Sequence, residues 1–266
     1  MANSYLLSAN PIVKKLQRIE EHDEKNCCTY AGISRKLIIF TAMVVVGVVL
    51  NLLLKFTGST ITLDEGIVVT KGQMAFLVVS ALIMMVCPFL SVFLTGTIPV
   101  TGSLFCVATG YVLSWLGGTF GGEYAATIRL ALVLTAAIVL TMAYLYRSGL
   151  VRVGNRIKTV IFTFIFSSII AGILMFIGSL IPATRGFVTA LAQNPVLNIG
   201  ISVIYVIIGS LFLVVDFETI DKVVADELPK KYEWLAAYSL AFSVIWLYFK
   251  ILDLLLKLKG SSSRKN

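Results

Sequence analysis

Histidine, cysteine and charge are scarce in this chain of 266 residues. It has one histidine and four cysteines, and only 14% of its residues are charged. The sequence contains no paired-histidine zinc motif, no serine between glycines at nucleophile spacing, and no phosphate-binding glycine loop with its lysine. The histidine, His22, lies in a charged segment where we expect it to be solvated. We therefore expect no enzyme and no cofactor, whereas metal binding stays open.

The cysteines form no recognisable pattern. Cys27 and Cys28 are adjacent, ahead of the first long apolar stretch, whereas Cys87 and Cys106 are single residues within apolar stretches. This spacing fits neither a set of zinc ligands nor a disulfide framework. Residues 1–36 lack the basic start, apolar stretch and small-residue cleavage site of a secretory signal. We expect them to be a retained, cytoplasmic N-terminal segment.

Apolar residues, in contrast, are abundant. They make up 58% of the chain, and the mean hydropathy is +0.93, far above the values of a soluble domain. A helix needs about 20 apolar residues to cross a bilayer, where each backbone amide must be satisfied within its own segment. The sequence predicts an all-α integral membrane protein, a bundle of seven spans followed by a disordered tail (257–266). The predicted spans, which form a domain over 37–256, are 37–55, 74–95, 101–117, 125–146, 159–181, 197–220 and 232–256.

Positive charge predicts the orientation of the spans. The net charge is +8, but the basic residues lie in short connections and form no face interleaved with aromatics, which disfavours nucleic acid as a partner. The connection 147–158 carries four cations and no acid, so it should share the cytoplasmic side of a cell (plasma) membrane with the N-terminus. Seven spans leave the basic tail outside. Either the tail departs from the charge bias or one late segment is re-entrant, and seven full spans are the preferred alternative.

Two spans carry polar stripes. Ionisable residues inside membrane helices are costly and commonly mark functional sites, and residues three and four apart share one helix face. We expect the two stripes to face each other or a central cavity. The stripe of the sixth span contains Asn198, Ser202, Tyr205, Gly209, Phe212 and Asp216, and that of the seventh contains Ser239, Ser243, Trp246, Lys250 and Asp253.

Asp216 is the main candidate. No cation lies three or four residues from it, and the helix before it is strongly apolar. Equal counting from the turn near Leu228 places it level with positions 240–244, so Ser243 is its expected neighbour on the seventh span. We predict Asp216, Ser239 and Ser243 as pH-sensing or ion-path residues. The alternative is that Asp216 is merely solvated at the end of a shorter helix.

Other charged residues have simpler interpretations. Lys250 and Asp253 are spaced as a local pair that reaches the membrane interface, and Arg129 is placed as an interface anchor. Glu218 and Lys222 have the spacing of a helix-surface pair. The secondary functional candidates are Asp221, Lys250, Asp253 and Arg129.

Three separated stretches resemble a known family. In the last third, an Asp-Phe pair ends the sixth span, a Pro-Lys-Lys turn follows, and a Glu-Trp pair opens the seventh span. With NPIVKKLQR (10–18) and YRSGLVRV (146–153), these residues resemble the bacterial subgroup of the Bax inhibitor-1/YccA-like family, part of the transmembrane Bax inhibitor motif superfamily. The matching residues near the C-terminus are Pro229, Lys230, Lys231, Glu233, Trp234, Trp246, Leu247 and Tyr248.

The resemblance implies a seven-helix bundle with the seventh helix central, acting as a pH-sensitive calcium leak. In relatives, two aspartates on the sixth and seventh helices share a proton and gate the pore. Asp216 stands at the first of these positions, but the matching region around Ser243 to Trp246 contains no acid. The two-carboxylate gate is therefore not carried over to this chain.

Other relatives act in membrane-protein quality control through a membrane-bound protease. The implied alternative is an interaction protein without a pore, which modulates such a protease or a membrane stress response. A small-solute transporter built on inverted repeats finds no matching halves in the sequence. The expected partners are thus the lipid bilayer, then Ca²⁺ or protons, or a membrane protease.

Overall fold

The structure, a computed structural model, describes residues 27–56, 59–62, 68–119, 121–152 and 154–263. The interpretations of His22, of the stretch 10–18 and of the tail cations Arg264 and Lys265 lie outside these residues.

Helices account for most of the described residues. A short antiparallel hairpin, β1 (Thr60–Thr62) and β2 (Val68–Thr70), precedes the second helix, and a 3₁₀ turn covers Thr95–Thr97. The α-helices are α1 (Tyr30–Lys55), α2 (Lys71–Phe93), α3 (Ile98–Thr119), α4 (Gly121–Arg147), α5 (Asn155–Leu180), α6 (Pro182–Gln193), α7 (Pro195–Ala225) and α8 (Lys231–Ser263).

Seven of the described helices are long and apolar enough to cross a membrane, namely all except α6. This confirms the predicted all-α membrane bundle with seven spans. The first and last helices of the structure have other boundaries than the predicted spans. α1 begins at Tyr30, ahead of the predicted start at 37, and α8 continues to Ser263, so residues 257–263 of the predicted disordered tail are helical.

The described residues divide into two compact units. The N-terminal unit comprises the described residues of 27–130 together with 219–245, and the C-terminal unit comprises those of 131–218 together with 246–263. The helices α4, α7 and α8 each contribute a part to both units. Within α8, Ala237 and Leu247 are fully buried.

In the N-terminal unit, α1 and α3 approach each other backbone to backbone. A Cβ on Gly47 would overlap the carbonyl oxygen of Val107, and one on Gly110 would overlap the carbonyl oxygen of Val44. Small residues permit such close approach in membranes, where van der Waals packing must supply much of the attraction between helices. These two glycines therefore fix the α1–α3 crossing.

A chain of neutral hydrogen bonds joins α1, α2 and α3 near the hairpin. The Thr70 hydroxyl caps α2 and the Gln73 side chain returns the bond, which forms a capping box. Gln73 Nε2 donates to Asn51 Oδ1 at 3.0 Å, and Asn51 Nδ2 donates to Ser114 Oγ at 3.0 Å. The Tyr111 hydroxyl donates to the Gln73 carbonyl at 2.8 Å. These polar groups are satisfied by one another inside an apolar bundle.

The C-terminal unit has a smaller buried centre. Ile161 of α5 packs with Ile208, Val214 and Val215 of α7, and Phe164 lies beside this cluster. Much of α4 and α5 is exposed on the outside of the protein. Because the middle of each helix is a long apolar stretch, the exposed surface there suits contact with lipid.

Candidate functional site

The polar stripes of α7 and α8 face each other within the C-terminal unit. Tyr205 and Phe212 of α7 meet the Trp246 ring edge to face, with ring centres 6.1 and 6.2 Å apart. A Cβ on Gly209 would lie 2.9 Å from the Trp246 ring, so glycine is what admits the indole. The predicted facing of the stripes is therefore confirmed for Ser202 to Phe212 against Trp246 to Asp253, and it stays a prediction for Ser239 and Ser243. We call this contact, with Ser202, Lys250, Asp253 and Lys257, the α7–α8 seam.

Lys250 lies over aromatic rings of the seam. Its ammonium is 4.4 Å from the centre of the Tyr205 ring and 5.4 Å from that of Trp246. Both distances are within the range of cation–π attraction, which strengthens where water is excluded. The prediction that Lys250 pairs with Asp253 is wrong, because Asp253 forms its ion pair with Lys257, one turn farther on.

Ser202, Asp253 and Lys257 form a cluster at the other end of the seam. The Ser202 hydroxyl donates to Asp253 Oδ2 at 2.8 Å, while Lys257 Nζ donates to Ser202 Oγ at 2.8 Å and to Asp253 Oδ2 at 2.7 Å. Sequence reasoning assigned Lys257 to the tail and missed this contact. Its spacing of four residues from Asp253 was the available signal.

Asp216 lies one turn beyond Phe212 on α7 and is 1% exposed. Two residues farther on, Glu218 Oε1 forms an ion pair with Lys158 Nζ of α5 at 2.7 Å. The Glu218 side chain is 24% exposed and the Lys158 side chain is 7% exposed. The sequence did not predict Lys158 as a partner of Glu218, and the predicted pair of Glu218 with Lys222 stays a prediction. This part of the C-terminal unit thus holds two carboxylates and one buried ammonium.

A second charged site lies where α1 and α8 begin, in the N-terminal unit. Lys36 and Glu233 form an ion pair, and Glu233 Oε1 also accepts from the Thr29 amide at 3.0 Å and the Thr29 hydroxyl at 3.3 Å. The Lys36 ammonium is also 5.4 Å from the centre of the Trp234 ring. Gly32 leaves room for the Glu233 carboxylate, which a Cβ at this position would displace. We call these residues the Glu233 site; it joins the starts of α1 and α8.

The family is now decided by a match that runs across both units. The model of the family described as Bax inhibitor 1 like matches residues 10–260. The chain belongs to this family. No curated protein and no solved structure matches the chain.

In this Bax inhibitor 1 like protein, the chain before α1 is tied to the turn before α8. The Cys28 amide donates to the Leu228 carbonyl at 2.7 Å, and its thiol donates to the Pro229 carbonyl at 3.1 Å. Burial, and secondarily the nearby Glu233 carboxylate, raises the pKa of Cys28 to about 12. Cys28 is therefore held as a neutral thiol and acts as a structural contact.

The remaining predicted site residues are spread over the molecule. Ser239 and Ser243 are 2% and 6% exposed and belong to the N-terminal unit, whereas Asp216 belongs to the C-terminal unit. Their predicted burial is confirmed, and the predicted proximity of Ser243 to Asp216 stays a prediction. Asp221 accepts a hydrogen bond from the Tyr30 hydroxyl at 2.9 Å, and Arg129 is exposed on α4. Within the described part of the chain, no three His, Cys, Asp or Glu residues are grouped so that they could hold a metal ion.

Proposed function

We propose that this Bax inhibitor 1 like protein is a pH-sensitive cation leak channel or transporter, with Ca²⁺ as the cation. The observation that carries the proposal is the burial of Asp216, 1% exposed, in the membrane-spanning helix α7. An ionisable side chain costs free energy in a membrane, so it commonly marks an ion or proton pathway. Family membership supports the same function.

Protons and cations would compete for the Asp216 carboxylate. Burial disfavours the charged form of a carboxylic acid, and a cation in contact with it restores that form. Glu218, two residues farther along α7, forms an ion pair with Lys158 of α5. Ser239 and Ser243, in the N-terminal unit, stay our predicted ion-path residues. With one carboxylate in this role, we expect a single-site pH response, without the two titration steps of a coupled pair.

The α7–α8 seam suggests how the path is closed. Lys250 already supplies a cation to the faces of Tyr205 and Trp246, and Lys257 supplies one to Ser202 and Asp253. A mobile cation would be repelled from positions that tethered ammonium groups fill. We therefore interpret this conformation as closed, and we expect Lys250→Met to raise cation flux.

Flux measurements in liposomes test the proposal. Purified protein is reconstituted in vesicles that contain a Ca²⁺ indicator, and flux is measured at one pH below neutrality and one above it. Wild-type protein should conduct in a pH-dependent way, and Asp216→Asn should stay folded but lose the pH response. Asp226→Asn is the matched control, because Asp226 is exposed just after the same helix.

Two results would count against this function. If Asp216→Asn keeps the wild-type flux and pH response, Asp216 is not the sensor. If wild-type protein conducts no ion at any pH, the role of an interaction protein that modulates a membrane protease takes precedence.

We also propose a plasma-membrane location with the N-terminus in the cytoplasm. The cations of the connection between α4 and α5 support this orientation through the positive-inside bias. Single cysteines introduced at exposed Ser148 and Lys230 in intact cells should resist a membrane-impermeant thiol reagent. Labelling of either position from outside would reverse the orientation.

A further inference from the structure

The helix α6 is short and tied to the membrane at both ends. It has 12 residues, about 18 Å in length, too few to cross a bilayer. Only Ile181 separates it from the end of α5, and only Asn194 separates it from the start of α7. Because α5 and α7 both qualify as membrane-spanning helices, α6 cannot move away from the membrane level at which they end.

The residues of α6 divide into an apolar and a polar face. Phe187 and Val188 are four and three residues before Leu191, so the three side chains share one side of the helix. The opposite side carries Arg185, Thr189 and Gln193 at steps of four, whereas Thr184 lies on the apolar side and its hydroxyl donates to a carbonyl of α5. A short helix with such a division suits a boundary between an apolar and an aqueous phase.

Part of the apolar face is covered by α5. The Thr184 hydroxyl donates to the Gly178 carbonyl at 2.8 Å, and a Cβ on Gly178 would lie 2.9 Å from Val188. This contact leaves Phe187 on the outside, with 72% of its surface exposed. An aromatic side chain of this size is normally covered by protein or lipid, so it requires a second partner.

Lipid is the partner that the surroundings favour. Phe176 and Leu180, at the end of the spanning helix α5, are 66% and 67% exposed and extend the same kind of apolar surface. Arg185 is the single charged residue from 180 to 197, and it lies on the polar face. An apolar face next to lipid-facing residues, together with a cation on the other face, fits the acyl and phosphate zones of a bilayer.

We propose that α6 is an interfacial helix, which buries Phe187 in the acyl boundary of the membrane while Arg185 reaches the phosphate groups. It would anchor the connection between α5 and α7 at the membrane surface. The proposal does not depend on ion conduction, because it rests on the chain connections and the faces of α6 alone.

Spin labels on the two faces of α6 test the proposal. Cys27→Ser provides the background, because Cys28, Cys87 and Cys106 are buried. Single labels are placed at Phe187→Cys on the apolar face, and at Thr189→Cys and Gln193→Cys as matched controls. The full chain is reconstituted in vesicles of phosphatidylcholine and phosphatidylglycerol, and collisions with oxygen and with a water-soluble nickel complex are compared.

Oxygen concentrates in the acyl region, whereas the nickel complex stays in water. We expect the oxygen-to-nickel accessibility ratio at position 187 to be several-fold higher than at 189 and 193. If position 187 meets the nickel complex as often as 193 does, α6 lies in water and the proposal is wrong. If the label at 187 is shielded from both reagents, protein covers that face, for example a second copy of the chain, and the proposal is equally overturned.

Discussion

The helices inside the N-terminal unit and those inside the C-terminal unit pack in different ways. In the third span, which lies in the N-terminal unit, 44% of the most apolar stretch is buried, against 6% in the fifth span of the C-terminal unit. The N-terminal unit uses close backbone approach at Gly47 and Gly110 and hydrogen bonds between neutral side chains. Both units pack aromatic rings and contain ion pairs. Among the described glycines of the C-terminal unit, however, none has its Cβ position against a backbone atom, and its α7–α8 seam instead places Lys250 over two aromatic rings.

This difference separates a scaffold from a responsive part. Lipid tails are as apolar as the helix surfaces, so helices associate in a membrane through close packing and polar bonds. Close packing does not titrate, whereas ion pairs and a buried carboxylate respond to pH and to competing cations. We expect the N-terminal unit to keep its structure across conditions, with the Glu233 site as its exception. In the proposed function, pH acts on the C-terminal unit through Asp216.

The largest effect should come from Gly110→Ala. The added methyl group would overlap a backbone carbonyl of α1, and no side-chain rotation relieves such an overlap. We expect a loss of about 3 kcal/mol or more in the free energy of unfolding, at the upper end for overpacked sites. Thermal melting in detergent measures it. Gly172→Ala on α5 is the control, because its Cβ meets nothing within 4 Å. If both variants lose the same free energy of unfolding, the close backbone packing at Gly110 does not distinguish the two units.

Glu233→Gln should give the next largest effect. The Glu233 and Lys36 side chains are 3% and 16% exposed, and removing one partner of a buried ion pair leaves the other charge uncompensated. We expect a loss of about 3 kcal/mol in the free energy of unfolding. Asp253→Asn should cost less than about 1 kcal/mol, because its pair with Lys257 is more exposed.

A double variant separates the ion pair from other consequences of the Glu233 substitution. In Glu233→Gln with Lys36→Met, the second change removes the uncompensated ammonium. The double variant should therefore lose less stability than the sum of the two single variants. Strict additivity would show that the two side chains do not interact in the folded protein.

The sequence was sufficient for what depends on local pattern. Long apolar stretches predicted all seven spans, and the spacing of three and four residues predicted which faces of α7 and α8 meet. The burial of Asp216 follows from the same periodicity, because it continues the stripe of Tyr205 and Phe212. Periodicity alone cannot show which distant residue meets a given side chain.

Partners that are far apart in the chain were therefore missed. Lys158 pairs with Glu218 across 60 positions, and Lys36 pairs with Glu233 across 197. Nothing near either residue indicates its partner. Lys257 was assigned to a disordered tail because glycine, serine and cations follow it, yet Ser202 and Asp253 hold it within α8. Tertiary contacts override local composition in such cases.

Two short elements were missed although the sequence carries signals for them. α6 begins with proline at its first position and separates polar from apolar residues at helical spacing. The hairpin strands TIT and VVT consist of β-branched residues on both sides of a short connection. A search for membrane spans passes over both, because neither is long enough to cross a bilayer.

A smaller effect is expected for Asn51→Leu in the N-terminal unit. The substitution removes the bonds to Ser114 and Gln73 but keeps a side chain of similar size. Hydrogen bonds between membrane helices contribute about 1 kcal/mol, so we expect a loss of that order in the free energy of unfolding. The loss should be the same on both sides of neutral pH. Ser168→Ala on α5 is the control, because this hydroxyl bonds only to a carbonyl of its own helix.

The smallest effect concerns Cys28 and appears only at high pH. Its pKa is raised from 9.0 to about 12, so folding favours the neutral thiol. The associated stability is fully present below about pH 9 and is lost as pH rises toward 12, because only the unfolded thiol ionises in that interval.

At neutral pH a maleimide should label the half-buried Cys27 of the folded protein and reach Cys28 only after unfolding, as mass spectrometry of the labelled peptide would show. Equal labelling of both cysteines in the folded protein would mean that the contact of Cys28 with the turn before α8 opens readily. The N-terminal unit would then open at the start of α1, which would contradict our expectation that this unit keeps its structure across conditions.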